Sequence, residues 1–483
     1  MADGTLTSAA LTARCLDRIA ELNPRLRAVI SVNPDAAAEA AHRDQQRTAE
    51  SGPLHGIPVL IKDNIAVAGL PATAGSPALL GAETGDAFLV SRLRQAGAVI
   101  LGKANLSEWA NFRSPQSSSG WSALGGQTAN PHALDRNPSG SSSGSGAAVA
   151  AGLAPLAVGT ETDGSIVCPA SACGVVGIKP TIGLVSRHGI VPISAEQDTA
   201  GPMARTVADA AALLTVLAAA DGADPATAQA TGHGTDYTAF LDPGALAGAR
   251  LGVWRDVCRA AGQATQAVLD AAVAVLQAQG ATVLDPVELP GAAGLEEPES
   301  AALLHEFKRD LNHYLRGLPG RRPRSLAELI DYNVQNARTV LVHFGQELFE
   351  QAEATSGDPA ALAARAEAGT RARAALNGPL SEHRLDAIVT LTASPAWLTD
   401  HVLGDHDVFH TSGPSAVAGY PAVSVPAGQV HGLPVGLSFL GPAWSEPRLI
   451  ALAHAFEHAR PALGRPNLMA DVQGAGGAAR AQR

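Results

Sequence analysis

Residues 137–146 read Asn-Pro-Ser-Gly-Ser-Ser-Ser-Gly-Ser-Gly and run straight into Ala147-Ala148-Val149-Ala150-Ala151. Gly152, an apolar run from Leu153 to Val158 and the segment Thr160-Glu161-Thr162-Asp163-Gly164-Ser165-Ile166 follow. Flexible linkers share this Gly/Ser composition, but they do not open onto a helix and a buried strand. Small residues accumulate inside a packed domain where the backbone turns tightly or must approach something closely. A tight structural turn would satisfy that demand, and so would three kinds of chemistry. Gly140-Ser141-Ser142-Ser143-Gly144 matches G-x-S-x-G, the elbow that exposes a nucleophilic Ser, here Ser142. Successive N–H groups at a helix start can cradle a phosphate, although no G-K-[ST] follows. Alternatively, the unit acts whole, with Ser141 in the first loop and Ser165 in the second turn facing one cleft.

The 483 residues suffice for two or three average domains or one large α/β unit. Hydrophobic residues make up 46% and charged residues 16%, which rules out general disorder. A net charge of -11 argues against nucleic acid and anionic membrane as partners, since both require a basic surface. Cys15, Cys168, Cys173 and Cys258 have neither metal-ligand nor disulfide spacing and read as reduced, small apolar residues. Cys168, three residues past Ser165, is placed to line a site without reacting. Neither a signal-peptide pattern nor a bilayer-length apolar run is present, so the cytoplasm is the default expectation. A secreted or periplasmic chain trimmed of its leader would read the same.

Leu11 to Leu22 carries helical apolar spacing and is expected to end at Asn23-Pro24, and Pro34 to Ser51 reads as a second helix. Short apolar runs predict buried strands at Pro58–Ile61, Ala98–Leu101, Leu153–Val158, Val175–Ile178, Leu251–Trp254 and Thr282–Leu284. Later strands are expected at Ala387–Thr390, Ala422–Val425 and Val435–Leu440. Helices are expected at Thr206–Ala220, Ala264–Ala278 and Glu446–Ala459, and residues 297–375 read as mostly helical, a candidate cap over a substrate pocket. Gly474 to Arg483 is Gly/Ala/Arg-rich and is expected to be a disordered tail. Lys62 and Lys103 fall at strand ends, where α/β sheets gather their active sites.

The lysines are informative because they are few. Among 34 basic residues only Lys62, Lys103, Lys179 and Lys308 are Lys. A Lys directly after Val59-Leu60-Ile61 therefore needs a reason that Arg cannot meet. Arg does not lose its proton in a protein, whereas a buried Lys can become a neutral base. The structural alternative is a Lys62–Asp63 ion pair. Fifteen histidines also admit a Ser-His-Asp arrangement with His410 or His431 as base, though no local pattern singles either out.

The two-serine arrangement resembles the amidase signature family, whose hydrolases use a Ser–cisSer–Lys triad. The resemblance places Ser165 on the nucleophile, Ser141 on the bridging Ser and Lys62 on the Lys. It extends over Leu54-His55-Gly56-Ile57-Pro58, Gly102–Trp109, Gly177-Ile178-Lys179-Pro180-Thr181, Asp198–Pro202 and Gly419–Val423. Within the family the chain is most similar to peptide amidases, through Glu161–Pro169, Asn111-Phe112-Arg113-Ser114 and Ser119-Gly120-Trp121-Ser122. Ser139 and Asp163 stand where Gly is usual, and Val167 stands where an Arg commonly follows the nucleophile. That last departure argues against a substrate carrying a carboxylate there, and so against a glutamine-using transamidation subunit.

The resemblance implies an α/β fold: one large domain over residues 1–473, with a central twisted mixed sheet covered by helices on both sides. It implies a cis peptide at Gly140-Ser141 and an acyl-enzyme route that releases ammonia without metal or cofactor. The oxyanion would be met by the main-chain N–H groups of Thr162, Asp163, Gly164 and Ser165. Asn111, Arg113 and the Asp163 carboxylate are candidate substrate contacts, while Gln197 and Asp198 are expected to brace the site. The expected substrates are C-terminal amides of peptides, then small aliphatic or aryl amides, acted on by a monomer or homodimer. From another class, the chain could be a non-catalytic or ammonia-delivering subunit of a complex.

Overall fold

The computed structural model describes residues 5–82, 84–357 and 359–472, so the expected tail at Gly474 to Arg483 lies outside the described residues. Thirteen strands are present among them: β1 (Val29–Val32), β2 (Pro58–Lys62), β3 (Val99–Ala104), β4 (Trp121–Ser122), β5 (Gly126–Gln127), β6 (Leu156–Glu161), β7 (Val176–Lys179), β8 (Thr199–Ala204), β9 (Arg250–Val253), β10 (Thr282–Leu284), β11 (Ala387–Leu391), β12 (Ala422–Val430) and β13 (Leu433–Leu440). Eleven of them form one mixed sheet in the order β1-β3-β2-β6-β8-β7-β12-β13-β11-β9-β10, and β4-β5 pair separately. β2 lies parallel to both β3 and β6, while β8 runs antiparallel to β6 and β7.

Alternation along these strands builds a core on each face of the sheet. Val59 and Ile61 of β2 join Leu156 and Val158 of β6 in one cluster. Leu60 and Ala157 point the other way, into a cluster with Ala147, Ala148 and Val149 of the helix Ser143–Ala151. Lys62 shares the parity of Leu60, which directs it toward the start of that helix.

The first helix, Ser8–Leu26, opens on Thr7, whose hydroxyl accepts the Ala10 N–H, and closes on Arg27 in the left-handed region. It continues through Pro24 rather than ending there. Pro24 removes one hydrogen bond, but the extra turn buries Leu26 completely. The second helix is shorter than expected, Ala36–Gln46, because Asn33 Oδ1 accepts the Asp35 N–H and starts it after Pro34. Four strands escape the periodicity reading: the short separate pair β4 and β5, and two in the main sheet. β1 is half exposed, and β8 contains Gly201-Pro202, which reads as a breaker yet sits mid-sheet, with Gly159 opposite Gly201.

Residues 296–382 are mainly helical, led by Glu296–Gly317, Leu326–Gln335 and Pro359–Glu382. Phe307, Leu311, Leu315 and Phe349 pack there with Trp109 in a separate apolar cluster. The four cysteines are buried and free, and among the described residues no helix is long and apolar enough to cross a membrane.

Candidate active site

β2 and β6 are parallel neighbours, so Lys62, the last residue of β2, lies beside the turn that leaves β6. Lys62 is fully buried, and its Nζ is 2.8 Å from Ser141 Oγ, 2.9 Å from Thr160 Oγ1 and 3.2 Å from the Thr160 carbonyl. Among the described residues no carboxylate pairs with it. Burial is the main cause that pushes this amine down to about 7, against the more distant charges of Glu161 and Asp198, which hold it up. The pairing of Lys62 with Asp63, the structural alternative, is absent. Asp63 instead pairs with Lys103 at 3.2 Å.

The Gly/Ser stretch divides its hydroxyls between structure and the cleft. Ser142 Oγ donates to the Thr160 carbonyl at 3.0 Å and accepts its N–H at 3.2 Å. Ser143 Oγ donates to the Ser139 carbonyl and Ser145 Oγ to the Val158 carbonyl. These three fasten the helix start to its own loop and to β6, so Ser142 is a strut rather than an exposed elbow nucleophile. Ser141 follows a cis Gly140-Ser141 bond and points its hydroxyl at Lys62.

Ser165 sits in the turn after β6, where the Ser142 N–H meets its carbonyl at 3.1 Å. Glu161 shapes this turn by accepting the N–H groups of Ile166 at 2.7 Å and Val167 at 3.0 Å. From behind, Asp198 Oδ1 accepts the Thr162 hydroxyl at 2.5 Å, and Gln197 donates to the Thr162 carbonyl at 3.0 Å. Asp163, Gly164 and Ser165 show no intramolecular partner for their N–H groups among the described residues. Gly164 holds φ at +75°, which lets successive N–H groups converge.

A cleft of about 270 Å³ opens over this turn, lined by Thr162 to Ser165, Ser139, Gly140, Asn111 and Cys168. Asn111 Nδ2 donates to Ser119 Oγ at 2.9 Å, and among the described residues the buried Asn111 Oδ1 and Asp163 Oδ1 have no partner. Trp109, Ala110 and Asn111 all have positive φ, the kink that carries Asn111 to the cleft. Cys168 lines the cleft with its thiol pushed well up, chiefly by burial and then by Glu161.

Arg113 does not reach the cleft. It is wholly buried, pairing with Glu108 at 2.5 Å, donating to the Val340 carbonyl at 2.9 Å and lying 4.2 Å over the Phe344 ring. It is a post that fixes the 340–344 segment, and the chemistry that made it attractive as a ligand contact is spent internally. Conversely, sequence reasoning missed Trp397, Asp405 and Asp407, which close the cleft from a distant loop. His410 lines it too, but its hydrogen bond to Asp407 at 3.2 Å is the main cause that raises it to about 9. A histidine so held carries its proton at neutral pH and is no general base. His431 lies in the β12–β13 turn and does not line the cleft.

The "Amidase" family model matches residues 10–450. The chain belongs to the amidase family. As an amidase it hydrolyses amide bonds, and its single large domain with a mixed sheet flanked by helices is the amidase signature fold. A probable amidase from Arabidopsis thaliana is 44% identical, the match covering 94% of this chain and 87% of the relative. A glutamyl-tRNA(Gln) amidotransferase subunit from Symbiobacterium thermophilum is 36% identical, covering 95% and 96% respectively. Among solved structures, a native peptide amidase from Stenotrophomonas maltophilia superposes on this amidase with a TM-score of 0.92 at 52% identity, over 97% of this chain and 96% of that one.

Proposed function

We propose that this amidase removes the C-terminal amide of peptides, through a relay from Ser165 to Ser141 to Lys62. The observation that carries the reading is the buried Lys62 amine, without a carboxylate partner, bonded to Ser141 at the edge of the cleft that holds Ser165. Near neutral pH much of this amine is uncharged and can accept a proton. Ser141 passes the Ser165 proton to Lys62 as Ser165 Oγ bonds to the amide carbon. The N–H groups of Asp163, Gly164 and Ser165, with Thr162 beside them, receive the developing oxyanion. The C–N bond then breaks, the relayed proton leaves with ammonia, and an ester to Ser165 remains. Water repeats the sequence and releases the carboxylic acid.

The primary-amide part of this reading rests on the side chains of the cleft, and its peptide part on the likeness to a peptide amidase. A primary amide presents two N–H donors, and the Asp163 and Asn111 side chains that line the cleft carry oxygen acceptors. Val167 supplies no cation for a substrate carboxylate, which disfavours glutamine, and the likeness to the Stenotrophomonas peptide amidase points the same way.

The deciding experiment is ammonia release by the purified chain alone from an amidated dipeptide. Steady release, with slower turnover of free glutamine, is expected; release only in the presence of a second protein would move the chain to the ammonia-delivering class. Asp163→Gly should lower amide turnover about tenfold or more, consistent with loss of a charged hydrogen bond, and ester turnover much less. Equal losses would remove Asp163 from amide recognition.

A further inference from the structure

The helix Glu446–Ala459 ends in a turn that none of the chemistry above uses. His454, Glu457 and His458 stand at i, i+3 and i+4, so they share one helical face. Their candidate donor atoms all lie within 4.8 Å of one another. His458 Nδ1 is 3.0 Å from the His454 main-chain carbonyl. A carbonyl only accepts, so Nδ1 carries the proton and Nε2 keeps its lone pair, the arrangement that prepares a histidine for a metal.

His454 is 8% exposed, and its Nδ1 is buried with no hydrogen-bond partner among the described residues. Glu457 accepts the Val207 N–H at 3.2 and 3.1 Å, which ties the last helix to the start of the helix Val207–Leu217 and leaves further lone pairs on both oxygens. Asp242 and Asp209 add negative field around the group, and Arg460 opposes it. Helix capping alone accounts for Glu457, and an edge-to-face contact at 4.2 Å accounts for the histidine rings. Neither gives the buried His454 nitrogen a partner.

We propose that His454, Glu457 and His458 form a site for a divalent transition-metal ion, with Zn²⁺ the best match to two imidazoles and a carboxylate. Bonds of about 2.0–2.1 Å put neighbouring donors around a tetrahedral ion about 3.4 Å apart, a spacing that side-chain rotation can reach. Water completes the coordination. The ion clasps the last helix to Val207–Leu217, a structural role independent of the amide chemistry.

The test uses the whole chain without a histidine tag, stripped of metal and titrated with Co²⁺ by visible absorption and with Zn²⁺ by calorimetry. One equivalent is expected to bind, with affinity falling at least about tenfold in His458→Ala, a range typical of weakened metal sites. His458 is exposed, so its variant is expected to keep the metal-free Tm of the parent. Zn²⁺ should raise Tm in the parent and not in the variant. Uptake of equal affinity by both proteins, as from the stacked His343 and His401, would overturn the proposal, and so would no uptake by the parent.

Discussion

Lys62 is the last residue of β2 and Lys103 the last but one of its parallel neighbour β3, and both are fully buried, yet their surroundings differ. Lys103 touches Asp63 at 3.2 Å and donates to the carbonyls of Ile65 at 2.7 Å and Pro71 at 2.9 Å. Burial lowers its pKa and Asp63 opposes the shift, while the three contacts make its amine a cross-brace. Lys62 meets two hydroxyls and one carbonyl, while its nearest influential carboxylates, Glu161 and Asp198, act only from a distance. Equal burial lowers both amines, but only at Lys103 does an adjacent carboxylate oppose it. An adjacent carboxylate makes the difference.

The harshest way to break this comparison is at the far end of the proposed Lys62 relay. Ser165→Ala is expected to lower kcat by about 10⁴- to 10⁶-fold, the scale on which a unitary nucleophile is lost. Ser142→Ala, which cuts only the fastening to Thr160, should leave kcat within about tenfold while lowering stability by about 1–3 kcal/mol. The reverse order in ammonia-release assays would restore the elbow reading.

Next comes the lysine itself. Lys62→Met should cost about 10²- to 10⁴-fold in kcat, the usual worth of a general base, while thermal stability holds or rises because a poorly solvated amine is removed. Lys103→Met should do the opposite, leaving Asp63 buried and unpaired at a cost of about 3–5 kcal/mol, with turnover per folded molecule retained. Adding Asp63→Asn to Lys103→Met should recover part of that stability. Kinetics and denaturant melts on the set would reveal any variant that breaks the division.

Parts of this contrast were legible in the chain. Lys scarcity and the Val59-Leu60-Ile61 run singled out Lys62, while the Gly-containing turns left several readings of their serines open until the family resemblance joined Ser141 to Ser165. The partner of Asp63 was not legible: it turned out to be Lys103, brought in by β2–β3 pairing rather than by the adjacent Lys62. Arg113 misled for a related reason, since a guanidinium looks alike in sequence whether it faces a ligand or the Phe344 ring. Strands with apolar runs were readable, but β8 was hidden by Gly201-Pro202, which sits mid-sheet with Gly159 opposite Gly201 and Val158 opposite Pro202. Asp405 and Asp407 carry no motif and join the cleft only through long-range folding.

The finest test acts on Lys62 without touching it. In the proposed relay the uncharged amine is the working form, so kcat/KM should rise with pH through about 7 as Lys62 loses its proton. Asp198 holds that value up by its negative charge. Its own carboxyl is raised to about 6, chiefly by burial, so it is mostly ionised at the midpoint of the limb. Asp198→Asn removes the charge, favours the neutral amine and should move the limb to lower pH, by up to about one unit, equivalent to 1.36 kcal/mol. Below pH 6 wild-type Asp198 gains a proton and loses this influence, so the two profiles should converge there. Asp63→Asn, next to Lys103 instead, should leave the limb in place. A limb that stays fixed in Asp198→Asn or moves upward would mean that the group titrating near neutrality is not Lys62.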